Sequence, residues 1–347
     1  QKGFYARDLA FIYQDMPYKL NLLVKDFASP AVSLGLSSEE LSLKADFNVD
    51  KSRILINNLS GKYINSDFKA SGSFDTGTSN AGISGSLSIN LEDLNKPLNK
   101  FKDQFQQINP RGKLDSTFSI SGELKDIKSC SLDLNFSSPL LSFYGFKAQK
   151  IQGYYKQIYG ISDIPSLSFD FYEGKVNISA RANLKSDNLP YSFNLSIEGV
   201  KIEKLKNDTE ARSKDIAGIV NGNIKLNGSS GDLSKIYGAG SLDIAKGKLW
   251  ELDLFKGMGR LLFARDFANI VFYEGSSNFI VQDKYIVTDN LTLKSNIASL
   301  TGRAKIGFDN TIDASLNIDI IDEMVPLSGT FKDVTTTVIG KSGKFAT

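Results

Sequence analysis

The residues that most often carry enzyme chemistry are nearly missing from this chain of 347 residues. It has no His, so the commonest general base and the commonest transition-metal ligand are both absent. One Cys, Cys130, stands beside an apolar stretch. Without a His to activate it, it reads as a small packed thiol and not as a nucleophile. A single Cys also excludes an internal disulfide, which leaves the compartment open. Gly340-Lys341-Ser342 has the ending of a phosphate-binding P-loop, but Thr335 occupies the position where the motif requires its first Gly. Acidic residues are scattered and never take the D-x-D-x-D-G spacing of a calcium loop. Sequons begin at Asn58, Asn135, Asn177, Asn194, Asn207, Asn227 and Asn290, several of them inside strand-like stretches where Asn and Ser simply fill wet faces. No catalytic residue, metal or cofactor is expected. With 41 Lys+Arg against 39 Asp+Glu the formal charge is +2, too small for a phosphate-binding surface, so nucleic acid is excluded as a partner.

Chemistry that remains available is binding by apolar side chains, and the elements that would present them are strands. Leu41 to Val49 alternates apolar and polar residues without a break. The same period of two runs through Leu114 to Ile120, Leu132 to Phe136, Leu167 to Phe171, Val176 to Ala180, Tyr191 to Ile197, Ile224 to Leu226 and Ile312 to Ile320. Strict alternation gives each strand one dry and one wet face. Breaks such as Asp75 to Thr78, Lys185 to Asn188 and Asp309-Asn310 are too short for crossover helices, so the sheet is antiparallel. Helical spacing is confined to a stretch from Pro97 to about Ile108, a weaker one within Val200 to Val220 that is mostly loop, and Leu249 to about Phe267. No run reaches about 18 apolar residues. The opening Gln1-Lys2-Gly3-Phe4 has neither an initiator Met nor a signal-like run, so the chain is expected to be a piece of something longer.

Self-alignment reveals a repeat. Ser121-Gly122-Glu123-Leu124 returns as Ser230-Gly231-Asp232-Leu233, and Ser131-Leu132-Asp133-Leu134 as Ser241-Leu242-Asp243-Ile244. Leu87-Ser88-Ile89, Leu195-Ser196-Ile197 and Leu316-Asn317-Ile318 form one trio, and Leu59-Ser60, Leu167-Ser168 and Leu291-Thr292 another. The expected division is a partial first β-repeat over 1–90, a second over 91–199 and a third over 200–347, stacked as an array. The expected fold class is mostly β: an elongated antiparallel repeat sheet curved into an apolar groove, with a few short amphipathic helices. So many apolar strand faces exceed what three short helices can cover. Either a second sheet closes over them as a packed core, or they form a trough that holds a hydrophobic ligand.

The stretch from Val220 through Gly228 to Leu233, then Gly238-Ala239-Gly240-Ser241-Leu242-Asp243-Ile244 to Leu249, resembles the C-terminal region of AsmA-like proteins. Phe279 to Leu293, Leu300 to Asp309 and Val325 to Phe331 resemble that family's closing strands in order, with Val334 where the family often has Pro. The resemblance covers about residues 195–335. It implies a periplasmic protein of diderm bacteria, anchored to the inner membrane through an N-terminal segment absent from this chain. It also implies an elongated β-groove that moves phospholipid toward the outer membrane.

The function expected is therefore non-enzymatic binding and transport of phospholipid along a hydrophobic groove. Its candidate lining is Leu43, Phe47, Phe118, Ile120, Leu134, Phe136, Phe169, Phe171, Ile178, Phe193, Leu195, Ile224, Leu226, Leu242, Ile244, Leu316 and Ile318. Trp250, Leu254, Phe255, Met258, Leu261 and Leu262, flanked by Lys256, Arg260 and Arg265, form either a lid or a segment that touches a membrane surface. Membrane proteins at either end are the other expected partners. The alternative is a structural or adhesive periplasmic scaffold whose wet faces bind a protein or glycan. Its mark would be an exposed aromatic cluster.

Overall fold

In the computed structural model, residues 3–13, 15–95, 108–248, 271–296, 298–309, 311–320 and 343–346 are described. The chain divides into two compact units, residues 1–169 with 181–187 and residues 170–180 with 188–347. Both are antiparallel β, which agrees with the alternation in the sequence.

The first unit is an up-and-down meander of β1 (Phe4–Tyr13), β2 (Met16–Lys25), β3 (Ala31–Ser37), β4 (Leu41–Asp50), β5 (Arg53–Tyr63), β6 (Ser66–Asp75), β7 (Asn80–Asn90), β8 (Arg111–Glu123), β9 (Ser131–Phe143) and β10 (Phe146–Ile158). Each strand pairs with its chain neighbour. The boundary between the units runs through β11 (Ile161–Phe171) and β12 (Gly174–Asn183).

The second unit continues the pattern with β13 (Pro190–Lys201), β14 (Ala217–Ser229), β15 (Tyr237–Lys248), β16 (Phe272–Gln282), β17 (Tyr285–Ser295), β18 (Ala298–Gly307), β19 (Ile312–Ile320) and β20 (Gly343–Ala346). These too pair in chain order. Between β13 and β14 the chain forms one α-helical turn, α1 (Ile202–Leu205), and two 3-10 turns. The weak helical signal after Val200 is therefore mostly turn, because its middle offers no apolar face. The helical stretches expected at 97–108 and 249–267 lie almost wholly outside the described residues.

Bulges keep the apolar residues on one face where the sequence slips out of phase. Ile56 and Leu59 differ by an odd number, so a regular strand would send them to opposite sides. A bulge at Asn57-Asn58 restores the phase, and both reach the same face. Two other bulges are fastened by an Asn on the facing strand: the Asp8 N–H donates to Asn21 Oδ1 at 3.0 Å and the Gly199 N–H to Asn221 Oδ1 at 2.8 Å.

An exposed pair precedes each member of one repeated sequence trio, and in two of the three it is a bulge. Leu59-Ser60 follows the exposed pair Asn57-Asn58, Leu167-Ser168 follows exposed Pro165-Ser166, and Leu291-Thr292 follows exposed Asp289-Asn290, itself a bulge in β17. The second duplication has a structural counterpart as well. Both Ser-Gly-Glu/Asp-Leu stretches end a strand at a positive-φ Gly (Gly122 at 126°, Gly231 at 84°) and lead into a 3-10 turn, Leu124–Asp126 and Leu233–Lys235.

Candidate functional site: the apolar strand faces

Register places the apolar residues of the first unit in rows that cross the strands. Val32, Phe47, Ile56, Gly72, Ile83, Ile120 and Leu132 are successive direct partners from β3 to β9, with Val24 of β2 before them. Direct partners project to the same side of a sheet. A second row joins Leu34, Ala45, Leu59, Ala70, Gly85, Phe118 and Leu134, and a third joins Leu36, Leu43, Gly61, Phe68, Leu87, Ser116 and Phe136. Across β4 to β7 the middle row is Ala45, Leu59, Ala70 and Gly85, small on three of the four strands. Phe47, Ile56, Gly72 and Ile83 stand on one side of it and Leu43, Gly61, Phe68 and Leu87 on the other. Small side chains beside taller ones make a shallow channel that Leu59 interrupts.

Depth of burial separates a channel from a core. The large side chains of these rows on β2 to β9 are all half-buried and none is buried. A facing sheet would have dried them, as happens to inner faces in a sandwich. Among the described residues Cys130, at 0% exposed, is fully buried. The first row ends at Gln157 of β10, 5% exposed, the direct partner of Leu132. Its Nε2 donates to the carbonyls of Ile127 at 2.7 Å and Cys130 at 3.0 Å, which closes that end with satisfied polar groups.

The second unit has one row that is dry at Val200 and from Gly275 to Leu300, and one that opens toward β19. Val200, Val220, Ile244, Gly275, Leu293 and Leu300 are successive partners. Val200 and Leu300 are each 3% exposed. Ile202 of α1 reaches over Gly218 beside Ile244, so the helical turn covers this end. Phe193, Leu226, Gly238, Val281, Ile286, Ile306 and Ile312 make a parallel row, in which Ile306 and Ile312 are exposed.

Several of the candidate lining residues fall on these rows. Phe47 shares a row with Ile120, Phe118 with Leu134, and Leu43 with Phe136. In the second unit Phe193 pairs with Leu226 and Leu195 with Ile224. Leu242 faces Gly222 and is 40% exposed, while Ile244 stands in the dry row and Leu316 faces Gly302. Phe169, Phe171 and Ile178 are half-buried, with Phe171 edge-on to Tyr172 at 4.6 Å. Ile318 pairs with Leu300 in register; its side chain is outside the described residues, as are Trp250, Leu254, Phe255, Met258, Leu261 and Leu262. Sequence reasoning missed Val32, Ile56, Leu59, Ile83 and Phe68. The signal was present as alternation at Val32, Phe68 and Ile83, whereas the bulge in β5 puts Ile56 and Leu59 out of phase.

On the opposite, wet face the described residues of each unit form a hollow. In the first unit it has a volume of about 510 Å³ and is lined by Asp67, Asp115, Thr117, Asn135 and Gln152 among others. In the second unit it has about 520 Å³ and an apolar floor. Cys130 donates to the Glu123 carbonyl at 3.3 Å, and burial, then Asp126 and Glu123, push its thiol up. It is thus held protonated, as a packed thiol would be. Among the described residues no three His, Cys, Asp or Glu side chains gather where they could hold a metal. No described helix is long and apolar enough to cross a membrane. A scan against family models, a search of curated proteins and a search of solved structures each find no match.

Proposed function

We propose that the chain binds phospholipid acyl chains along its apolar strand faces and lets them pass from strand to strand, without catalysis. One observation carries this reading: mostly apolar rows, broken only by Gly61, Gly72, Gly85 and Ser116, run from β2 to β9, and their large side chains stay half-buried. Seven strand spacings of about 4.8 Å give roughly 34 Å of channel. That is about twice the length of an acyl chain, taking one leaflet as half of a ~30 Å hydrocarbon core. About 0.8 kcal/mol per buried methylene favours the channel over water. Repeated weak contacts of this kind allow sliding. The resemblance to AsmA-like proteins sets the proposal in the periplasm, between an inner-membrane anchor and the outer membrane, with membrane proteins as partners at the ends. Lys256, Arg260 and Arg265 around Trp250 suit contact with an anionic membrane surface.

Native mass spectrometry, followed by lipid extraction from protein purified without detergent, tests the proposal. Diacyl phospholipid in at least equimolar amount is the expected result. A folded, lipid-free sample would overturn it.

The adhesive alternative also has an observation behind it. The β9–β10 turn exposes Phe143 (39%), Tyr144 (63%) and Phe146 (36%), an aromatic cluster of the kind a protein or glycan partner would use. Removing it by Phe143→Ser with Tyr144→Ser leaves lipid content unchanged if the lipid reading holds.

A further inference from the structure

The hollow on the wet face of the second unit differs from its surroundings in having an apolar floor. Lys225, Ala239, Ile280 and Val287 are successive direct partners across β14 to β17, and all four line it. Ile280 is 45% exposed there, beside Ala239 and Val287 on a face that is elsewhere mostly polar. Beside this row runs a second, Asn223, Ser241 and Asn278, which supplies amide and hydroxyl groups to the same hollow. The Asp289-Asn290 bulge brings Asp289 into the lining.

Two opposite charges thus border one apolar floor. Among the described residues Lys225 and Asp289 form no ion pair with each other or with any other side chain. Exposed groups of opposite sign in one hollow that do not neutralise each other are complementary to a ligand carrying both signs. About 520 Å³ falls within the 300–1,000 Å³ usual for small-molecule sites.

We infer that this hollow binds the zwitterionic headgroup of a phosphoethanolamine amphiphile: the phosphate against Lys225, the ammonium against Asp289, and the first methylenes on Ala239, Ile280 and Val287. A primary ammonium suits the site because its three N–H groups can donate to Asp289 and to the Asn223 and Asn278 amide oxygens. A quaternary ammonium would need open aromatic faces. The ring of Tyr285 on the same strand is taken by Lys305 Nζ, 3.8 Å from its centroid, and the ring of Phe279 lies against Gly240. The site is on the face opposite the apolar rows, so it goes beyond the acyl-chain reading and stands or falls separately.

The test is calorimetric titration of the whole chain with dodecylphosphoethanolamine, dodecylphosphocholine and dodecyl phosphate, each below its micelle concentration. The first should bind at least several-fold more tightly than the other two. Lys225→Gln and Asp289→Asn should each weaken it tenfold or more at unchanged unfolding midpoint, since both residues are exposed. Lys225→Asp with Asp289→Lys should regain part of the loss. Absence of binding to the wild type, binding by Lys225→Gln or Asp289→Asn equal to that of the wild type, or a preference for the choline or plain phosphate probe would each overturn the assignment.

Discussion

The ring of Phe68 on β6 lies over Gly61, its direct partner on β5, in the space that a Cβ on Gly61 would take. Phe136 does the same to Gly153, Phe279 to Gly240, and Tyr191 to Gly228. In each pair the missing side chain lets the aromatic lie down along the sheet. That pose shields backbone and keeps the ring low in the row.

Gly61→Val should therefore lower the unfolding free energy of the first unit by about 1–3 kcal/mol through overpacking. The cost should shrink in a Phe68→Ala background, where the ring is gone. Urea unfolding of the single and double variants measures the coupling, and additive effects would mean that ring and glycine are independent.

Phe118→Glu and Phe193→Glu should leave the circular dichroism spectrum intact while lowering lipid content severalfold. Both sites are half-buried, so an introduced carboxylate keeps access to water and the penalty of a buried charge does not arise. Loss of fold in both variants would mean that the rows are a closed core.

Leu300→Ala provides the contrast. This side chain is 3% exposed in the dry row of the second unit, and its truncation should cost about 2–5 kcal/mol. Lipid content per folded molecule should not change.

Acid should weaken both units. Asp75 is held below the ordinary carboxylate range by the Thr78 N–H first and then the Ser52 hydroxyl. Asp309 is lowered by Thr311, Glu173 by Lys201 and then Lys204, and Asp215 by Lys248. A carboxyl whose pKa is lower folded than unfolded contributes stability above its unfolded value, near 4. That contribution is lost as pH falls through the folded value. The urea midpoint should be level from pH 7 to about 5 and fall below about 4, and Asp75→Asn should flatten part of the fall in the first unit.

Strands such as β4, β8 and β19 were readable because their alternation is unbroken and each carries its own dry face. β5 was not, since Leu55 and Leu59 share an odd parity that only the Asn57-Asn58 bulge disentangles: Leu59 joins the apolar row, while Leu55 is 46% exposed on the other side. No local pattern announces a bulge whose extra residue is paid for by a facing strand. Whether the apolar rows are open or covered was equally illegible, because Phe47 has the same neighbours in sequence either way. The hollow holding Lys225 and Asp289 was hidden for another reason. Its members come from separate strands, and only register makes them adjacent.

Pairing in chain order also governs how the molecule assembles. Every registered ladder in either unit joins strands that follow one another, so a strand needs only its predecessor to begin pairing. Closing the loop between neighbouring strands costs less entropy than bringing distant ones together, and low contact order favours rapid folding. The sheet can thus grow hairpin by hairpin as the chain emerges from a ribosome or a translocation channel, each new edge being the template for the next strand.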